Sequence, residues 1–208
     1  MHKIMETGTL QVNCHILGNP ASGEALVIDP GGHAHAILEE LRAHSLQLTH
    51  IVCTHGHFDH IGGVADLKRA TGCQFWLHEA DRNLVEGAAQ HAASWGLPFG
   101  LIPTIERTIE DREMLKIADI SIEVIHTPGH TPGGVCLRWE DGILVGDTLF
   151  SGSIGRTDLP GGDHARLIAS IRNRLLPLGD ALKCYPGHGP ATTLGRERKN
   201  NPFLNGSF

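Results

Sequence analysis

The chain has 208 residues, with 17 Lys and Arg against 23 Asp and Glu for a formal charge of -6. That length suits one undivided domain over 1–208 that buries roughly 70% of its unfolded surface, and the acidic balance leaves no broad basic face for a nucleic acid. No segment approaches the roughly 20 apolar residues of a membrane span, and Met1 to Gly8 carries no signal-length apolar run, so a soluble, cytoplasmic protein without a membrane partner is expected. Five cysteines, Cys14, Cys53, Cys73, Cys136 and Cys184, are odd in number and form no Cys-x-x-Cys pair. They argue against a disulfide framework or a thiolate zinc site and read as small core hydrophobes.

Short apolar runs alternate with amphipathic stretches, and glycine or proline stands at almost every junction, which predicts an α/β fold. Val12 to Leu17 and Ala25 to Ile28 read as paired strands around Asn19-Pro20-Ala21-Ser22-Gly23. A helix follows over about Ala34 to Ser45, with Ile37, Leu38 and Leu41 near helical spacing. Next come a strand ending at Cys53, a short helix near Val64 to Ala70, a strand at Gln74 to Leu77, and a helix from Glu79 to Ser94. Gly96 to Thr108 is irregular and apolar, in the manner of a loop over a pocket. Ile120 to Ile125, Gly134 to Trp139 and Gly142 to Val145 are strands, the last two joined by a hairpin turn at Glu140-Asp141-Gly142. A helix over about Ala165 to Leu175 precedes Lys183-Cys184-Tyr185 and a closing loop. Arg196, Arg198 and Lys199 read as a solvated face of the tail.

The densest chemistry lies in Thr54-His55-Gly56-His57-Phe58-Asp59-His60. His55 and His57, two apart, point the same way on extended backbone, while Asp59 and His60 turn toward a second point, so two neighbouring metal sites are geometrically possible. Three further segments place one candidate ligand each just after an apolar strand: His130 in His126-Thr127-Pro128-Gly129-His130-Thr131-Pro132-Gly133, Asp147 in Gly146-Asp147-Thr148, and His188 in Pro186-Gly187-His188-Gly189. Small residues and prolines around them let a substrate approach the backbone. Their conjunction carries more weight than any one alone. His55, His57 and His130 suit one metal and Asp59, His60 and His188 another, with Asp147 offering an oxygen to both.

This ordered set, His55-Gly-His57-Phe-Asp59-His60 followed by His130, Asp147 and His188, resembles the metallo-β-lactamase superfamily. The resemblance covers nearly the whole chain. It implies an αββα sandwich with a two-metal site on one edge, zinc being the first expectation and iron or manganese the others. Ala25 to Gly32, His126 to Gly133 and Gly146 to Phe150 are similar to glyoxalase II, the hydroxyacylglutathione hydrolases, and Gly152 to Asp163 looks like a short bacterial subgroup. True β-lactamases do not carry a bridging Asp147, so the resemblance disfavours antibiotic hydrolysis. Longer glyoxalase II enzymes append a helical region that supplies much of the glutathione site, and weaker glutathione binding is expected without one.

Two divalent ions about 3.5–4 Å apart hold a hydroxide near neutral pH, so no side-chain nucleophile is needed to attack a thioester such as S-lactoylglutathione. Asp59 is expected to orient the attack as the catalytic carboxylate. Asp29 is expected to steady a ligand imidazole or to serve its own turn. Arg156 is the candidate anchor for a substrate carboxylate, with a salt bridge to Asp158 or Asp163 as the competing role, and Tyr185 is the candidate contact bordering His188, with packing as its competing role. His33, His35, His44, His78, His91 and His164 fall outside the constellation and read as surface or helix residues. The alternative function is a mononuclear-iron persulfide dioxygenase using His55, His130 and Asp147, which the Gly155-Arg156-Thr157-Asp158 stretch also resembles. The partner is a small-molecule thioester, and monomer and homodimer stay open.

Overall fold

Strands β2 (Val12–Asn19) and β3 (Glu24–Ile28) bury almost every side chain, and a strand buried on both faces must be covered on both. The computed structural model, which describes residues 1–206, shows how. With β1 (His2–Thr7), they open a six-stranded sheet in which β1, β2 and β3 run antiparallel. β4 (Gln47–Val52), β5 (Gln74–His78) and β6 (Arg107–Ile109) continue it in parallel. Parallel neighbours need crossovers, and two of these carry α1 (Ala34–Ala43) and α3 (Val64–Thr71).

A second six-stranded sheet is built from β7 (Met114–Ile117), β8 (Ile120–His126), β9 (Val135–Trp139), β10 (Gly142–Gly146), β13 (Lys183–Pro186) and β14 (Thr192–Thr193). Its order is β14-β13-β10-β9-β8-β7, and only β10 and β13 pair in parallel. Between β10 and β13 come the small hairpin β11 (Leu149–Phe150) and β12 (Ser153–Ile154), then α6 (His164–Ser170), which runs on as a π turn at Ile171–Leu175.

Residue alternation along the strands sorts the core into three layers. Cys14, Ile16, Ala25 and Val27 face α1 and α3, while Leu17, Leu26 and Ile28 face the other sheet, meeting Val124, Leu137 and Leu144. Ile125, Cys136, Val145 and Cys184 face outward from the second sheet onto Leu167, Ile171 and Leu175. The result is the αββα sandwich, and all five cysteines are buried and unpaired.

Three elements differ from expectation. The helix expected over Glu79 to Ser94 is a 3-10 turn at Glu79–Asp81, then α4 (Arg82–Glu86) and α5 (Ala88–Ser94), broken at Gly87, where glycine is about 1 kcal/mol weaker than alanine in a helix. The edge strand β1 escaped notice because its pattern is largely exposed. The tail forms α7 (Leu194–Asn200) and α8 (Pro202–Asn205) rather than a loop. Thr193 caps α7, and the buried Glu197 accepts from Thr192 Oγ1 at 2.6 Å, Gly152 N at 2.8 Å and Asn201 Nδ2 at 2.9 Å. Arg196 is exposed as expected, and Arg198 pairs with Asp180 at 2.8 Å. Among the described residues no helix is long and apolar enough to cross a membrane.

Candidate metal centre

Each candidate ligand lies past the carboxyl end of a strand: His55 to His60 after β4, His130 after β8, Asp147 after β10 and His188 after β13. Strand ends of two facing sheets converge on one edge, so residues 133 positions apart become neighbours. His57 is the extended residue preceding α2 (Phe58–Ile61), and the helical turn swings Asp59 and His60 away from His55 and His57. The junctions also need glycine. Gly146 has φ 46°, and a Cβ there would stand 2.7 Å from Thr54 Cβ; a Cβ on Gly187 would collide with Asp147 Oδ1 and lie 2.6 Å from His60 Cε1.

The structure brings all seven candidates together, in groups whose ligand atoms lie within 4.8 Å of one another: His55, His57 and His130; His55, His60 and Asp147; Asp59, His60 and His188. Asp147 stands between the outer groups. Its Oδ1 is 3.4 Å from His60 Nε2, and its Oδ2 is 3.6 Å from His130 Nε2 and 3.7 Å from His188 Nε2. Asp59 Oδ2 is 3.4 Å from His188 Nε2. His130 donates from Nδ1 to the Arg156 carbonyl at 2.8 Å and His188 from Nδ1 to the Leu10 carbonyl at 2.9 Å, so each turns Nε2 inward.

Burial, reinforced by neighbouring imidazoles, holds His55 well below the ordinary histidine value and pushes His57 down to about 3. Both present lone pairs at neutral pH. Burial acts downward on His60 too, but Asp147, Asp29 and Asp59 outweigh it and hold that imidazole well above its ordinary value. Burial would raise Asp147, yet His60, His130 and His188 keep it far below the usual carboxylate range. A cation is what this carboxylate cluster calls for. His55 Nε2, His60 Nε2 and Asp147 Oδ1 are buried without hydrogen-bond partners, a condition costing about 1–3 kcal/mol per atom when nothing binds them. His60 Nδ1 sits 3.1 Å from Asp29 Oδ2, though not aligned as a hydrogen bond. Nitrogen and oxygen donors arranged in this way fit divalent metals.

The profile of the Metallo-beta-lactamase superfamily matches residues 7–188, the span that contains every one of these ligands. The chain belongs to that superfamily. It is 39% identical to "Hydroxyacylglutathione hydrolase GloC" of Haemophilus influenzae over 98% of this chain and 97% of that protein. Among solved structures it is similar to BLEG-1, a B3 metallo-beta-lactamase (TM-score 0.91, 38% identical, covering 98% of this chain and 99% of that one). It is equally similar to TTHA1623 in a di-iron-bound form (TM-score 0.90, 38% identical, covering 97% and 100%).

Two buried carboxylates hold this superfamily site together from behind. Asp29, at φ 50°, accepts from Thr54 N at 2.7 Å and Thr54 Oγ1 at 2.6 Å, and so fixes the residue before His55. Asp81 went unnoticed in the sequence because it lay inside an expected helix. Its carboxylate accepts from Gly56 N at 2.9 Å, Thr131 Oγ1 at 2.8 Å and Gly133 N at 2.6 Å, clamping the His55–His60 loop to the His130 loop. His91, read as a helix residue, is one, but it also lines the cleft, edge-on to His57 at 5.3 Å. Its i,i+4 spacing to Trp95, which lines the same cleft, was the available signal.

The proposed substrate residues part company. Arg156 lines the cleft and holds Asp158 in two bonds of 2.8 and 2.7 Å, its guanidinium 5.5 Å from the Trp95 ring. Tyr185 takes its competing, packing role rather than that of a substrate contact: it lies between the sheets against Trp139, His2 and His15. As a residue of β13, paired with Leu144, it faces the inter-sheet core, whereas His188 lies beyond the strand end at the cleft. The cleft itself measures about 140 Å³ and continues through His57, His91, Trp95 and Leu159 into a groove of about 460 Å³. Leu97 to Gly100, within the segment expected to overlie a pocket, line a separate hollow of about 240 Å³ beside Asp59. A larger cavity, about 550 Å³, opens around Met1, His2 and Trp139 and contains none of the ligands.

Proposed function

We propose that this chain is a two-metal hydrolase of thioesters, with S-lactoylglutathione or a related hydroxyacylglutathione as substrate. The observation that carries the reading is Asp147, whose carboxylate reaches histidines of both groups, Oδ2 toward His130 and His188 and Oδ1 toward His60, while that Oδ1 and ring nitrogens of His55 and His60 stand buried and unpaired. His55, His57 and His130 would hold one divalent ion and Asp59, His60 and His188 the other, zinc being the first choice for such donors and iron or manganese the competitors. When bound, the pair supplies Lewis acidity that makes water nucleophilic near neutral pH and polarises the scissile carbonyl. Asp59, at the cleft, orients the attacking water by accepting its hydrogen bond. Arg156 receives a carrier carboxylate by exchanging it for Asp158, an exposed partner whose attraction solvent screens. The five unpaired thiols suit a reducing compartment, and the cytoplasm is the proposed location.

Two observations favour competing readings. His55, His60 and Asp147 form a two-His, one-carboxylate triangle, the donor set of mononuclear iron oxygenases, with His60 in place of the His130 expected from the sequence. This supports a persulfide dioxygenase. The likeness to BLEG-1 supports β-lactam hydrolysis. Protein with quantified metal, assayed in parallel on S-lactoylglutathione, a chromogenic cephalosporin and glutathione persulfide with an oxygen electrode, separates the three. Thioester loss with two ions per chain and no oxygen uptake is the expected result; oxygen uptake at one iron per chain without thioester loss overturns it.

A further inference from the structure

We infer that the groove beside the metal cleft is an acyl-binding site, and that the preferred thioesters carry an apolar acyl arm longer than lactoyl. The inference rests on the thioester reading above and extends it to substrate class. The groove, about 460 Å³, is more than three times the volume of the cleft it joins. Leu84, Trp95, Leu159 and Pro160 line it, with Asn83, Gln90 and Ser94 at its margins, and no Asp, Glu, Lys or Arg is among its lining residues. Trp95 is 44% exposed and Leu159 half-buried, so apolar surface faces water where the cleft opens. Burying such surface is the source of binding energy a site of this composition offers.

Charge decides which arm of the thioester enters. A glutathione carrier bears two carboxylates, and a groove without a cation cannot pair them. The strong cation lining the cleft is Arg156, which lies outside the groove's lining. The carrier therefore lies toward Arg156, and the uncharged acyl arm turns into the groove. His91 stands where the two cavities meet, against Phe58 at a ring distance of 5.0 Å. Its Nε2 is buried and has no hydrogen-bond partner, so a polar atom of the substrate at that bend satisfies it.

The test uses metal-replete full-length protein and has a binding arm and a turnover arm. Calorimetry with straight-chain carboxylates from acetate to octanoate should show Kd falling by up to about fourfold for each methylene that enters the groove. Turnover of lactoyl-, butyryl-, hexanoyl- and octanoylglutathione should show kcat/KM rising in the same order. Gln90→Glu places a charge at the margin of the groove and should flatten both series while metal content and melting temperature are kept. A chain-length series that is flat in wild-type protein overturns the inference, as does a gradient seen with S-alkylglutathiones and not with carboxylates, which would put the thiol arm in the groove. If the carboxylate gradient appears and Gln90→Glu abolishes it, yet no thioester is hydrolysed, the groove assignment stands and the hydrolase reading fails.

Discussion

Among the described residues two regions bury histidines, and only one of them has the makings of a metal site. Between the sheets, His15 is buried against Tyr185, its Nδ1 bonded to His2 Nε2 at 2.9 Å and the two rings stacked 5.2 Å apart. The pair satisfies itself and has no carboxylate bonded to it. At the cleft, His55, His57, His60 and His130 are equally buried, but ring nitrogens of His55 and His60 remain unpaired and Asp59 and Asp147 reach among them. Burial of imidazoles is thus common to both regions. What separates them is convergence of unsatisfied donors on carboxylates, which a bound cation relieves.

The comparison breaks first at Asp147. Asp147→Ala should cost at least about 10²–10³-fold in turnover, the range for loss of one electrostatic stabiliser at a reacting centre, and should deplete both metals. His188→Ala should deplete mainly one. Elemental analysis of the two variants checks this, and equal, full metal content in both would count against Asp147 as a ligand shared by two ions.

The inter-sheet His2–His15 pair should answer to pH instead. Burial, and secondarily His2, pushes His15 down to about 3, so between pH 6.5 and 3 the unfolded chain takes up a proton that the folded chain refuses. Stability contributed here is complete above about pH 6.5 and is lost as pH falls, by roughly 3 kcal/mol at pH 4.5 relative to pH 7. Urea titrations of chelator-treated protein should show His15→Asn with a shallower acid loss than wild type. An identical acid slope would show that His15 is not the group responsible.

A smaller effect sharpens the view from behind the metals. Asp81→Asn keeps the shape but cannot accept both amide bonds and the Thr131 hydroxyl equally, so metal affinity should fall about 10–100-fold with the fold retained. Competition with a chromogenic chelator measures it. Unchanged affinity would reduce Asp81 to a packing residue.

The smallest expected change is at Arg156. Arg156→Ala keeps the carbonyl that orients His130 and removes only the guanidinium, so KM for a glutathione thioester should rise several-fold with kcat little altered. A fall in kcat at constant KM would place the side chain at the reacting centre.

The strands that were legible, such as Ala25 to Ile28 and Gly142 to Val145, are continuous apolar runs bounded by turn residues, and their burial on both faces preserves that signal. Strand β1 and helix α7 were not legible. β1 is an exposed edge whose pairing is set by β2, and α7 depends on Glu197, a carboxylate that reads as surface until its bonds to nearby Thr192 and Asn201 and to Gly152, 45 residues away, are known. For Tyr185 nearness in sequence to His188 left both contact and packing open, because it says nothing about which face of β13 the side chain occupies.

By itself the sequence determined the α/β class, the strand-end position of the ligand segments and the seven residues of the candidate centre, since those follow from local periodicity and from the concentration of imidazole and carboxylate groups. Only the tertiary structure decided that Asp147 lies 3.4–3.7 Å from His60, His130 and His188, that Asp81 clamps the loops and that an apolar groove adjoins the cleft. Each of these depends on side chains from separate strands and helices meeting at one edge of two packed sheets, a juxtaposition no local pattern encodes.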